Sequence, residues 1–254
     1  MKKLIYITAL ILAQPLLAYL HAQNAIFLTQ GRIEFEKKEN KWAQIDSLPF
    51  DDDDWKTLMK KNVPQFVTTY FDLRFNGTKS LYQPGREGNT ANNNMFMDNY
   101  PASDNVVFTS LATQQSTSQK NVFEEKFLVQ DSLRKVKWKI TNEVRTIAGF
   151  ECRRANALIM DSIYVVAFYT DEIITRGGPE SFTGLPGMIM GLVIPHEHVS
   201  WFATKVYTEN ITDKDLAIPA RGTKVTNAAL LALLRDRMKD WGRFAAKNIL
   251  AVML

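Results

Sequence analysis

The sequence predicts a mainly β, α+β fold: a curved antiparallel sheet or half-barrel with a C-terminal helix packed on it. Three features lead there. Short runs dominated by Thr, Val, Ile, Phe and Tyr recur between residues 26 and 207 and lack helical periodicity. The links between them are short, which suits antiparallel neighbours better than helical crossovers. From Thr226 or Asn227 onward, the apolar residues switch to three- and four-residue steps.

The first residues set the expected destination. Lys2 and Lys3 precede an uncharged run from Leu4 to Leu20, and Leu20, His21 and Ala22 end on a small residue. That is the layout of a secretory signal peptide over residues 1–22. The rival is a retained transmembrane helix. The run lies at the short end of the roughly 20 residues a bilayer needs, and Pro15 interrupts it. No Cys stands nearby to carry a bacterial lipoprotein anchor, so a periplasmic or secreted chain is expected. Residues 23–254 then form a single β-rich domain, with ample chain for a core. The formal charge of +4 falls to +2 once Lys2 and Lys3 leave. No dense Lys/Arg stripe exists to grip phosphates, which excludes a nucleic-acid partner. Cys152 is the only cysteine, so no intrachain disulfide forms. Set in a strand-like run after Phe150, it reads as a buried structural thiol.

The elements follow in order. Ile26 to Glu36 alternates as a strand, with Ile33 and Phe35 on one side. Asp51 to Asp54 suit a helix N-terminus, where carboxylates accept free N–H groups, ahead of a short helix from Trp55 to Lys61. The spaced ligands of a calcium loop are missing. Phe66 to Phe75, Asn76-Gly77 and Thr78 to Tyr82 read as a hairpin. Residues 84–101 form a polar loop expected to be mobile. Strands are expected at 106–112, 122–129, 136–140, 145–159 (one long strand or two) and 163–169. Two more, 188–194 and 199–207, are joined through Pro195. The helix at 226–254 carries Leu230, Leu234, Met238, Trp241, Phe244 and Ile249 at helical spacing, with Arg235, Lys239 and Lys247 between them. It either packs on the sheet or contacts a partner or membrane surface. Its tail, Ile249 to Leu254, is apolar all round and has to be buried, paired or on lipid.

The run from Gly178 to Met190, GPESFTGLPGMIM, contains Gly184-Leu185-Pro186-Gly187 followed by two apolar residues. It resembles the signature of the GLPGLI family of Bacteroidetes proteins. Trp138-Lys139-Ile140, the run from Ile147 to Ala155, Tyr169 to Ile173 and Trp201 to Lys205 extend the likeness over residues 130–206. Met188 and Met190 stand where Leu is commoner. The resemblance implies an envelope protein with a signal peptide and β architecture. It implies no activity and no catalytic residue.

Few residues invite chemistry. Gly184, Leu185, Pro186 and Gly187 suit a structural turn, since glycines free in φ alternate with fixed proline kinks and Met188 to Ile194 then enters the core. With Trp201 they are also the candidate ligand-binding residues, a ligand or peptide lying against the glycine-rich backbone. A phosphate cradle is ruled out, because Met-Ile-Met follows the glycines and no Lys is near. His196 and His198 are the candidate metal ligands. On a strand they would share a face, with a third ligand such as Asp171 or Glu172. No Gly-x-Ser-x-Gly elbow or dinucleotide fingerprint is present, so neither a catalytic residue nor a cofactor is assigned. Three readings stand. One is a non-enzymatic envelope protein binding a hydrophobic ligand, peptide or envelope partner. The others are a metal-handling periplasmic protein and an enzyme without a recognisable signature.

Overall fold

Two antiparallel meanders lie side by side in one twelve-stranded sheet. The computed structural model describes residues 27–48, 52–89 and 101–254. Residues 1–22, read as a signal peptide, and residues 90–100 of the polar loop lie outside that range. The first meander comprises β1 (Gln30–Asn40), β2 (Phe66–Asn76), β3 (Lys79–Pro84), β4 (Val106–Ser110), β5 (Gln115–Val122) and β6 (Glu125–Ser132). The second comprises β7 (Lys139–Ile147), β8 (Phe150–Ile159), β9 (Ile163–Thr170), β10 (Met188–Ile194) and β11 (Val199–Tyr207). They join where β11 pairs antiparallel with β1, from Arg32 opposite Tyr207 to Glu39 opposite Val199. A short β12 (Thr223–Val225) adds a parallel strand outside β6.

Curvature follows from chain length. In sheet order β6 and β7 are ten strand spacings apart, about 48 Å if the sheet were flat. Only residues 133–138 link them, and seven extended steps reach about 25 Å. The sheet is therefore rolled, as the sequence predicted.

Alternation sets the core. Ile33 and Phe35, then Phe71, Leu73 and Phe75, then Tyr82 and Val107 are all buried, with the Phe71 and Tyr82 rings stacked at 4.8 Å. Val165, Ala167, Met190, Leu192 and Trp201 continue the same cluster across the second meander. On another row Gly191 lies between Phe168 and Phe202. Those two rings meet at 6.3 Å, with the Arg145 guanidinium over both.

Helices fill the remaining space. α1 (Lys41–Asp46) is capped by Asn40, whose side chain accepts from Ala43 N at 3.1 Å. α2 (Asp53–Asn62) is capped by Asp52, which accepts from Trp55 N at 2.8 Å. α3 (Asn227–Arg237) and α4 (Arg243–Met253) pack Leu230, Leu234, Met238, Val252 and Met253 against Val122, Phe127 and Val129. Among the described residues no helix is long and apolar enough to cross a membrane.

Four local expectations change. The predicted single helix at 226–254 is broken: a 3-10 turn at Lys239–Trp241 leads to Gly242 at φ 55°, ψ −131°. Glycine tolerates that conformation far better than a residue with a Cβ. The break turns α4 back and buries Leu250, Val252, Met253 and Leu254, which resolves the apolar tail. The strand predicted at 122–129 straddles a turn at Phe123 and Glu124, and β5 lies instead in the polar run before it. The hairpin loop is Gly77-Thr78, with Asn76 paired to Lys79 inside the ladder. His196 lies in a 3-10 turn, Pro195–Glu197, and not on a strand.

Candidate functional site

The glycine-proline segment is a structural clamp. Gly187 approaches the end of β9 so closely that a Cβ there would stand 2.0 Å from the Thr170 carbonyl oxygen. Gly184 lies under the Trp138 indole, whose Nε1 donates to the Thr183 carbonyl at 2.9 Å. Leu185 and Phe182 are in the core. Ile189 N donates to Gly177 O at 2.8 Å, which fixes the start of β10.

Trp201 belongs to a different place, the sheet interior. It lines a cavity of about 40 Å³ with Lys37, Glu39, Asn105, Glu180 and Leu254. None of Gly184, Leu185, Pro186 and Gly187 is among the described residues lining it. That volume holds a few water molecules and is far below the roughly 300 Å³ at which small-molecule pockets begin. Trp201 Nε1, Asn105 Oδ1 and Tyr82 Oη are buried without a hydrogen bond of good geometry among the described residues, although Tyr82 stands close to Trp201 and Glu180. Polar atoms of this kind suit water.

Behind the cavity lies a buried charge network that no sequence pattern marked. Glu180 holds a positive φ of 52°, a strained setting for a residue with a side chain. It accepts from Asn105 Nδ2 at 2.9 Å. Burial pushes Lys120 down to about 8, the nearby Glu180 opposes the shift, and Arg134 adds to it. Lys120 Nζ donates to the Val252 carbonyl at 2.6 Å. Arg134 donates to the carbonyl of Met253, and Ser181 Oγ donates to that of Leu254 at 3.1 Å. These donors meet the carbonyl end of α4, where cations are favoured. Burial also pushes the Tyr82 hydroxyl well above its usual range, and Glu180 adds to the shift.

The larger opening lies beside α4. It has a volume of about 830 Å³ and draws on segments far apart in sequence. Leu48, Met160, Ile163, Phe244, Ile249 and Leu250 give it an apolar lining. Asp46, Lys56, His196, Glu197, Arg235 and Lys247 give it polar groups. α4 contributes one wall because Gly242 folds it back, and the β8–β9 turn and the start of β9 contribute Met160 and Ile163.

His196 reaches this cleft, and its Nδ1 lies 3.0 Å from Glu197 Oε1. His198 sits beyond the 3-10 turn at φ 53°. Its N–H donates to the Pro195 carbonyl, and its carbonyl accepts from Asn40 N. Among the described residues, no three His, Cys, Asp or Glu side chains gather to hold a metal ion. Cys152 is buried, and burial pushes its thiol up to about 12, an inert setting.

Residues 158–191, which include the glycine-proline segment, match a family described as a protein of unknown function (Porph_ging). The chain is similar in fold to PNGF-II. One crystal form, in space group C2, superposes with a TM-score of 0.50 at 16% identity over 84% of this chain and 33% of that one. A second, in P21, gives 0.48 at 14% identity over 78% and 32%. The chain thus spans about a third of the length of these structures. At such identity the likeness is one of fold alone. No curated protein sequence matches the chain.

Proposed function

We propose that this chain is an exported, non-enzymatic envelope protein that binds a hydrophobic ligand in the cleft beside α4. The cleft carries the reading. Its volume of about 830 Å³ falls within the ~300–1,000 Å³ typical of small-molecule pockets. Its lining sets apolar side chains, among them Leu48, Ile163, Phe244 and Ile249, beside polar ones in nearly equal measure. The Lys2-Lys3 and Leu4–Leu20 pattern supports export, and the GLPGLI-like block supports an envelope setting. The clamp at Gly184–Gly187 holds the scaffold instead of touching the ligand.

Titration of the purified protein with a neutral apolar fluorophore tests the binding. Fluorescence should rise and saturate. Ile163→Asp and Ile249→Asp should abolish the rise while the far-ultraviolet circular dichroism stays unchanged. Saturable uptake that both variants retain would place the ligand elsewhere, and no uptake at all would end the reading. N-terminal mass analysis of protein recovered from the culture and periplasm tests export: a mature chain beginning near Gln23 is expected, and an unprocessed cytoplasmic chain would refute it.

A further inference from the structure

The polar groups of the cleft are not balanced. Two carboxylates line it against three permanent cations, and one of the two is already paired with a lysine from outside the cleft. Asp46 Oδ1 takes the ammonium of Lys60, and Glu197 Oε1 lies 3.0 Å from His196 Nδ1, an imidazole that carries charge only when protonated. Three permanent cations line it, and none has a carboxylate within ion-pair distance among the described residues. Lys56 Nζ rests on the Asp46 carbonyl at 3.3 Å, and Lys247 Nζ on the Gln44 carbonyl at 3.2 Å. These are carbonyls at the C-terminal end of α1, a partial negative charge that compensates a cation only in part. Arg235, exposed in the last turn of α3, makes no ion pair among the described residues.

Apolar residues accompany these cations. Leu48, Ile163, Phe244, Ile249 and Leu250 line the same opening. A ligand that fills it meets hydrocarbon at these side chains and surplus positive charge near Lys56, Arg235 and Lys247. Charge complementarity then selects the head group, and the apolar lining selects the tail. A volume of about 830 Å³ lies near the top of the ~300–1,000 Å³ range that holds one small molecule. It suits a single acyl chain better than a two-chain lipid.

We infer that the cleft beside α4 is a site for an anionic single-chain amphiphile, with a carboxylate head held by Lys56, Arg235 and Lys247 and an alkyl tail laid over Ile163, Phe244 and Ile249. This rests on the binding role proposed above and names its ligand class. Burial already pushes Lys247 below its usual range, with Glu197 and Glu39 opposing the shift and Lys41 adding to it. A bound carboxylate relieves that penalty. The attraction gains from the low-dielectric lining and weakens with salt.

Three probes of equal chain length separate the outcomes. Dodecanoate, dodecanol and dodecyltrimethylammonium are titrated into the purified protein below their aggregation concentrations, by calorimetry or by displacement of the neutral fluorophore. Dodecanoate should bind at least tenfold more tightly than dodecyltrimethylammonium, and 0.5 M salt should shrink that margin. Arg235→Gln and Lys247→Gln should each weaken dodecanoate about two- to fivefold, the scale of partly exposed ion pairs. Both variants should leave dodecanol unchanged, which also shows that the cleft is still formed. Equal affinity for all three probes, or preference for the cation, overturns the anionic assignment while leaving an apolar site. Failure of all three to bind removes the cleft reading itself.

Discussion

The clamp at the start of β10 makes the sharpest stability prediction. In Gly187→Ala the new methyl would stand 2.0 Å from the Thr170 oxygen, 2.8 Å from the Thr170 carbonyl carbon and 2.9 Å from Asp171 Cα. Carbon normally approaches a carbonyl oxygen to about 3.3 Å, so the gap must open by more than 1 Å. All three obstructing atoms are backbone, so no rotamer change relieves the clash. β10 must move from β9 where Met188 pairs with Thr170, straining the Ile189–Gly177 hydrogen bond. Losing two backbone bonds costs about 2 kcal/mol. Loosening Met188 and Ile189, both fully buried, adds about 1–3 kcal/mol. The expected loss of about 3–5 kcal/mol lowers the melting temperature by roughly 10 °C in a chain of this size. Thermal unfolding followed by circular dichroism measures it. Gly149→Ala is the control: that glycine has φ 88° with nothing within 4 Å of a built Cβ, so only backbone strain of about 1–2 kcal/mol applies. If Gly187→Ala melts within 2 °C of the parent, or no lower than Gly149→Ala, the clamp argument is wrong.

Other predictions are briefer. Lys120 has a folded-state pKa of about 8 against 10.5 when solvated, so between these values the unfolded chain holds a proton that the folded one has lost. Stability should therefore rise with pH across pH 8–10, by up to about 3 kcal/mol from this group. A Lys120→Met variant should lose that slope in urea titrations at pH 7.5 and 10, and an unchanged slope would assign it to other groups. The Cys152 thiol, buried and raised to about 12, should resist iodoacetamide in native protein at pH 8 and react after unfolding. Stoichiometric labelling of the native protein would contradict its burial. Gly191→Ala should cost less than Gly187→Ala, about 1–3 kcal/mol, because its Cβ at 2.7 Å meets the Phe202 ring, a side chain able to yield. A larger loss than Gly187→Ala would mean that the row from Phe168 to Phe202 is locked.

What was legible in the sequence depended on whether the signal was local. The hairpin announced itself through Gly77 between two alternating runs, and Met188 to Ile194 was readable because Pro186 and Gly187 stop whatever precedes it. β5 was illegible. Gln115 to Lys120 shows no apolar alternation, because its inward residues include Ser118 and Lys120, buried for polar reasons. The metal reading of His196 and His198 assumed extended backbone, but Pro195 starts a 3-10 turn and His198 takes a left-handed conformation. The cleft was illegible for a different cause. Leu48, Ile163 and Phe244 meet only because the sheet rolls and Gly242 turns α4 back. Residue spacing encodes neither event.

The seam between the meanders has a consequence for how the chain is made. Glu34 and Thr204, bonded across it at 2.7 Å, lie 170 residues apart. As synthesis proceeds, β1 finds β2 early but meets its other neighbour only when β11 emerges. Until then a row of free N–H and C=O groups runs along an eleven-residue strand, the kind of rim that recruits foreign strands. Pairings of such separation are also slow to close. The last strand of the second meander thus completes the protection of β1, the first of the described strands. A break between β2 and β11 leaves β1 paired on one side only.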